Sequence, residues 1–400
     1  MSYLPCGTYF EQYLQDHKWW RTPFIKAKMA LMVILVVAFP AFLTWMDATE
    51  WLSVAHNLNY MILAALGVQL LIGFCGQITL GHAAFVAVGA YCSSMMMLFL
   101  PWPQFMADWG LVYPLTMICA GVVAGLWSVL FGLPSARVKG FYLIMTTMAA
   151  QWITVPLVIT QYVSRIGGRA HSFSLENAPM KIGPLDIATE TVIDSFMVGP
   201  LQLGNWTFTK DMKIYYFSLV LVVLCLLAMG NLLRSKPGRA WIAIRDNDIA
   251  AETMGVNIVW YKLLAFFVAG FFAGIAGAFY ISMISFVSPE HYGWGFSLEW
   301  VGCILIGGVG SIQGLVFGAA FWQLLSEFLK IGVDQVSALL AIFWPEAYWI
   351  TTKIHFIKES VFGLAIIAFL IYEPNGLAYR YWQLKNYFNL WPFSYTGKGH

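Results

Sequence analysis

The sequence predicts an all-α, polytopic membrane protein of about ten transmembrane segments, some short or broken, with both termini cytoplasmic. Three observations predict it. The chain is 60% hydrophobic and only 10% charged, where soluble domains carry about 25% charged residues. Its apolar residues gather in continuous runs near the ~20 residues a helix needs to cross hydrocarbon, far longer than the alternating segments of about ten residues that build membrane barrels. Its basic residues collect in connections that the span count places on one side, the asymmetry that sets orientation in a bilayer. The 18 Trp and a 17% aromatic share suit two interfacial belts.

Residues 1–28 read as a cytoplasmic N-terminal segment, polar and aromatic, and the apolar run behind it lacks a small-residue cleavage site. The first span is therefore expected to remain as an uncleaved anchor. Within a transmembrane domain at 29–373, spans are expected at 29–46, 57–74, 80–100, 110–132, 140–162, 214–232, 263–285, 297–309, 312–330 and 356–373. Lys18, Arg21, Lys26 and Lys28 precede the first, and Arg137 and Lys139 occupy a short connection, which places both on the cytoplasmic side. Counting spans brings the loop at 233–262 to that side, and it carries Arg234, Lys236, Arg239, Arg245 and Lys262. Residues 374–400 form a cytoplasmic tail provided that 297–330 is a hairpin of a short and a longer segment. Two segments fall on the outer side. Residues 163–213 mix Arg165, Arg169 and Lys181 with Glu176, Asp186, Glu190 and Asp194, either a docking surface or a plain solvated loop. Residues 334–355, with Trp344, Pro345, Trp349 and His355, are expected to lie at the interface.

Several functional classes fall away. A net charge of +2 with no basic run interleaved with aromatics excludes a nucleic-acid groove. The six cysteines mostly fall inside apolar runs without metal-ligand or disulfide-framework spacing. His82, His291 and His355 are isolated, whereas hydrolytic metal chemistry wants two or three ligands at helical spacing. The charged residues in the drawn spans, Glu299, Glu327, Lys330, Lys358 and Glu359, stand near span ends. Ion-coupled carriers usually keep such a group near the midplane, so an ion-coupled secondary transporter is the second reading.

Three segments depart from plain apolar helix. Gly73-Phe-Cys-Gly-Gln-Ile-Thr-Leu-Gly-His-Ala-Ala-Phe-Val-Ala-Val-Gly-Ala-Tyr91 joins two spans. Its glycines, Gly81 among them, permit an unwound stretch, and Gln77, Thr79 and His82 can satisfy backbone groups that lipid cannot. A simple hairpin with close helix packing is the alternative. Residues 305–320 repeat the pattern with Gly310, Ser311 and Gln313. Two such interruptions in the two halves of a chain point to a translocation path, although Gly310, Gly314 and Gly318 also fit the small-xxx-small spacing of helix contacts. The third segment, Gly238-Arg-Ala-Trp-Ile-Ala-Ile-Arg-Asp-Asn-Asp-Ile-Ala-Ala-Glu-Thr-Met-Gly-Val256, predicts a short helix capped by Asp248 and closed at Gly255. It reads as a docking knob or as an amphipathic helix resting on the bilayer.

In this order and spacing the segments resemble the LivM-type permeases of the branched-chain (hydrophobic) amino acid ABC importer family, which also includes urea and short-chain amide permeases. Residues 73–91 are similar to its G-x-x-G-Q-x-S-L-G-H-A-A-F stretch, with Thr79 where Ser is usual. Residues 238–256 match its G-R-x-x-x-A-I-R-x-N-x-x-A-A-x-x-x-G loop, and 305–311 its L-G-G-x-G-S stretch. The likeness runs on through Gly132-Leu-Pro-Ser-Ala-Arg-Val-Lys-Gly-Phe-Tyr142 and Glu373-Pro-Asn-Gly-Leu377, about 57–378 in all. It implies a multi-pass permease of the bacterial inner membrane, contacting lipid and working with a second homologous permease (LivH-like), two cytoplasmic ATP-binding subunits and a periplasmic or extracellular solute-binding protein. No cofactor would bind here directly, ATP with Mg being used by the partner subunits, and no residue would be catalytic. The loop would be a coupling helix entering a groove on an ATPase. Arg239, Arg245, Asp246, Asp248 and Glu252 would form its polar rim, Ile249 and Met254 its apolar centre, and Gly255 its end. Gln77, Thr79, Gly81, His82, Gly310, Ser311 and Gln313 would line the path of a small polar solute, a branched-chain amino acid or alternatively urea or an amide.

Overall fold

A computed structural model describes residues 23–46, 50–135, 140–163, 172–175, 180–182, 185–186, 191–193, 197–198, 201–202, 206–343 and 354–390. Lys18 and Arg21, Arg137 and Lys139, Arg165, Arg169, Glu176, Glu190 and Asp194, Trp344, Pro345 and Trp349, and Lys398 lie outside the described residues.

Helix α1 (Pro23–Trp45) contains Pro40, which has no N–H to return to the carbonyl four residues back. That carbonyl, on Val36, accepts from the Tyr215 hydroxyl at 2.9 Å, and Tyr216 donates to Val37 at 2.9 Å. A small cluster of Leu43, Leu52, Met212 and Tyr215 completes the attachment, while Leu31 to Leu35 remain exposed, a face for lipid. Helix α2 (Glu50–Val68) ends in a π-helical turn, Gln69–Phe74. After the break come α3 (His82–Phe99), the short α4 (Gln104–Asp108), α5 (Val112–Ser135) and α6 (Phe141–Trp152). The last continues as a π-helix, Ile153–Val163, around Pro156.

Between 173 and 208 the described residues form short strands: β1 (Phe173–Ser174), β2 (Lys181–Ile182), β3 (Leu185–Asp186), β4 (Thr191–Ile193), β5 (Met197–Val198), β6 (Leu201–Gln202) and β7 (Trp206–Phe208). β2 pairs β3, and the β5–β6 hairpin is nested inside the β4–β7 pair. β1 pairs antiparallel with β8 (Phe286–Val287), Phe173 opposite Val287, which ties this region to the far end of α10.

Helices α7 (Lys210–Arg234), α8 (Lys236–Asp246), α9 (Asp248–Thr253) and α10 (Ile258–Ile284) follow. A 3₁₀ turn at Pro289–Tyr292 leads to α11 (Trp294–Gly307), α12 (Ile312–Phe343), α13 (Ile354–Tyr372) and α14 (Gly376–Leu390). Helix α10 is the centre, packed against α5, α3 and α2. It is apolar all round, as a helix buried on every side must be, and small residues bring its backbone close to its neighbours: Gly274 faces Gly89 and Ala120, and Gly277 faces the Val86 carbonyl. Lipid tails are as apolar as the side chains they would replace, so close packing of this kind drives association in a bilayer.

Among the described residues eight helices are long and apolar enough to cross a membrane, or nine if the bent pair Ser360–Tyr372 and Gly376–Leu390, at 46°, is one span. The all-α polytopic expectation holds, and the boundaries shift. Helix α11 has 14 residues, about 21 Å at ~1.5 Å per residue, short of a ~30 Å core. Helix α12 has 32 and absorbs residues 334–343, which were expected in a separate outer segment. The loops expected on one side do meet at one end of the bundle: Gly76, Gly140 and Asp246 line one cleft, and Gly376 packs on Gly308. Lys28 lies 5.8 Å over the Tyr381 ring, so the start of α1 and helix α14 share that end.

Candidate translocation and coupling site

The chain leaves α2 at Phe74 and doubles back. The His82 ring fills the space beside Gly67, two turns before the end of the π-helix at Phe74, a depth of about 10 Å at ~1.5 Å per residue. Residues 75–81 are therefore an irregular stretch climbing into the bundle, which is tolerated at membrane depth where protein satisfies the backbone. That condition is met by neighbours far away in sequence. The Leu80 N–H donates to Thr147 Oγ1 at 3.2 Å, and the Ala83 N–H to Ser297 Oγ at 2.9 Å, replacing partners that a helix N-terminus lacks. Gly81 rests directly on the Thr147 carbonyl with no room for a side chain.

Gln77 and Thr79 are 2% and 0% exposed, and among the described residues neither the Gln77 amide nor the Thr79 hydroxyl has a hydrogen-bond partner. Buried polar groups are nearly always paired, with protein or with ordered water. His82, fully buried, lies edge-on to Phe85 and Trp300, each 5.9 Å away. Beyond it runs an aromatic column: Trp300 against Tyr60 at 6.5 Å, Tyr60 stacked on Tyr280 at 4.6 Å, and Tyr280 against Tyr292 at 6.0 Å.

The second glycine-rich segment meets the first at the same end. Gln69 Nε2 donates to the Gly308 and Ser311 carbonyls at 3.3 and 3.0 Å, and Gly73 abuts the Gly310 backbone. Yet the two segments are used differently. Gly307, Gly314 and Gly318 bring α11 and α12 into backbone contact, and the Ser311 hydroxyl accepts from the Gly314 N–H at 3.1 Å, capping α12. Gln313 is exposed. Gly310 joins Gly73 and Arg245, whereas Gln313 stands apart from the buried Gln77, Thr79 and His82.

In the third segment α8 is anchored by Trp241, which is fully buried and donates to the Tyr261 carbonyl at 2.7 Å. The N-cap of α9 is Asn247 rather than Asp248. Asn247 has the extended backbone a cap needs, φ −159° and ψ 108°, and its Oδ1 accepts from the Ala250 N–H at 3.1 Å. Asp248 is the first helical residue, favourable beside the N-terminal dipole. Gly255 closes the helix at φ +84°, the left-handed conformation glycine adopts freely. Ile249 and Met254 are 68% and 85% exposed, and Arg239, Asp246 and Glu252 are exposed with them. Arg245 turns inward: its Nη1 donates to the Gly73 carbonyl.

A cleft of about 350 Å³ opens where the segments converge, with Gln77, Arg245, Asp246, Asp248 and Lys262 on its walls. It offers both signs of charge and an amide, groups able to hold a zwitterion or an amide. Among the described residues no three His, Cys, Asp or Glu side chains gather as a metal site. Gln69, Thr147 and Ser297 complete the arrangement without having been singled out in the sequence, and Lys262, read there only as a charge of the inner loop, lines the cleft. Gln69 alone carried a local signal, a polar residue inside an apolar run.

The sequence has recognisable relatives among known proteins. The profile of the family described as branched-chain amino acid transport system / permease component matches residues 51–345. The high-affinity branched-chain amino acid transport system permease protein LivM of Salmonella typhimurium is 28% identical over 79% of this chain and 71% of its own length. The LivM protein of Escherichia coli is 29% identical over the same shares. The autoinducer 2 import system permease protein LsrC of an Enterobacter species is 27% identical over 39% of this chain and 41% of its own. No solved structure matches the chain. A matched stretch that contains the climbing segment, the α8–α9 loop and the α11–α12 turn in one polytopic body shows that the chain belongs to the branched-chain amino acid transport system permease family.

Proposed function

We propose that this inner-membrane permease forms half of a translocation pathway for a small polar solute, a branched-chain or other hydrophobic amino acid, driven by ATP hydrolysis on separate subunits. The observation that carries the reading is the cleft between the first break and the α8–α9 loop: buried, unpartnered Gln77 lies on one side, and on the other a loop that ends in an exposed docking helix. Ile249 and Met254 on α9 make an apolar tip within a charged rim, the composition of a contact surface. Two ATP-binding subunits would grip α9 on each of two related permeases, the second being LivH-like, and a solute-binding protein would deliver cargo on the opposite face. The chain itself performs no chemistry and binds no cofactor, ATP with Mg being consumed by the partners. The amino acid cargo is supported by the names of the LivM relatives and by the two signs of charge beside Gln77 in the cleft. Urea or a short amide is the alternative, which the Gln77 amide would suit equally well.

Vesicles holding the complete complex test this. Labelled leucine should accumulate only with ATP and loaded binding protein, and excess urea or acetamide should not compete. Accumulation without ATP that collapses with a protonophore would sink the reading in favour of an ion-coupled carrier. Glu252→Lys reverses a charge on the docking helix, and it is expected to lose the ATP-binding subunits on copurification while the permease still inserts. Normal uptake by that variant would remove α9 from the docking role.

A further inference from the structure

We infer that Arg245 is a positioning residue that transmits movement of the docking loop to both glycine-rich breaks at once, a role that rests on the ATPase-docking reading of α9. In a continuing α-helix the Gly73 carbonyl would accept from the N–H of residue 77. That N–H is instead taken by Leu71, at 2.7 Å, because the chain unwinds after Phe74. The Arg245 guanidinium supplies the replacement donor for Gly73. The same Nη1 occupies the space where a side chain at Gly310 would lie, and the aliphatic stem of Arg245 covers Gly76. Gly76 and Gly310 both have positive φ, +71° and +81°, so each turns its backbone toward the arginine at a place where another residue would carry strain and volume.

The lever arm is short. Arg245 stands on the last turn of α8, two residues before the Asn247 cap of α9, and buried Trp241 fixes the base of α8. A displacement of α9 has little slack to take up before it reaches the guanidinium. Arg245 is thus an exposed charge on this loop that reaches both glycine-rich breaks. A charged donor to a carbonyl is also among the stronger hydrogen bonds, and a planar guanidinium can touch the carbonyl and the neighbouring backbone together, as an ammonium cannot.

The test is the amount of solute moved per ATP hydrolysed by the complete complex in vesicles, with loaded binding protein. Arg245→Gln is expected to retain the ATP-binding subunits and to lower that ratio about tenfold, within the usual span of coupling between sites. Arg245→Lys should recover part of it, and Gly310→Ala should reproduce the loss because its methyl group displaces Nη1. Lys236→Gln, at the exposed start of the same helix, should leave the ratio within about twofold of the parent. A parental ratio in Arg245→Gln, or in Gly310→Ala should Arg245→Gln fail to assemble, overturns the inference. So does loss of the ATP-binding subunits from a folded Arg245→Gln permease, which would make the residue a docking contact. ATP-independent uptake by the parent complex would instead fail the docking reading beneath it.

Discussion

The two glycine-rich breaks look alike in composition and are built for opposite ends. Between Gly73 and His82 the chain runs irregular and deep, borrows Thr147 and Ser297 for its backbone, and leaves Gln77 and Thr79 buried without partners. Between Gly307 and Gly318 the chain turns sharply, self-caps through Ser311, and spends its glycines on backbone contact between α11 and α12. Glycine in a membrane helix therefore has two meanings, and polar satisfaction tells them apart. Where every polar group has a local partner, the glycines serve packing. Where polar groups are buried and left over, the glycines let the chain run irregular against its neighbours.

Five substitutions break or sharpen this contrast. The largest effect should come from Gly318→Leu, which drives a side chain into the Cys303 carbonyl. Overpacking typically costs about 1–3 kcal/mol and occasionally more, and backbone contact leaves little to yield, so folded permease recovered in detergent should fall sharply. Ser297→Ala comes next. It strands the buried Ala83 N–H, a loss of about 1–3 kcal/mol, visible as a lower melting temperature. Gln77→Leu should leave the melting temperature unchanged or raised, since it removes a buried group that already lacks a partner, while lowering uptake about tenfold, the equivalent of ~1.4 kcal/mol. Gln313→Leu at the matching place in the other break should change uptake less than about twofold. A strong uptake defect in Gln313→Leu would erase the distinction between the breaks. Smallest is Ser311→Ala, which removes one cap and should cost about 1 kcal/mol of stability with transport intact.

Much of the architecture was legible because a bilayer demands long apolar runs, and those runs place α1, α3, α5, α7 and α10 to within several residues. The start of α2 was placed late, at 57 rather than Glu50, because Glu50, His56 and Asn57 interrupt the apolar run. The length of α12 was missed because Asp334 and Gln335 look like a span end, though a helix can continue past the hydrocarbon. Thr147 and Ser297 could not be found locally: their contacts span 67 and 214 residues, and only the folded chain brings them to the break. Asn247 and Asp248 are equally good caps by residue type, and the choice between them depends on which one leaves helical backbone geometry. Arg245 illustrates the same limit. Its charge pattern matched that of Arg239 on the same helix, and direction alone separates them.

The hydroxyl that Tyr215 gives to the Val36 carbonyl bridges 179 residues, and this has a consequence in time. At ~5–20 residues per second of synthesis, about 10–35 s pass between the emergence of Pro40 and that of its tyrosine. During that interval α1 carries a carbonyl that its own helix cannot satisfy and hydrocarbon will not. The nascent anchor should therefore wait near the headgroups, or beside the insertion machinery, and settle laterally only when α7 arrives.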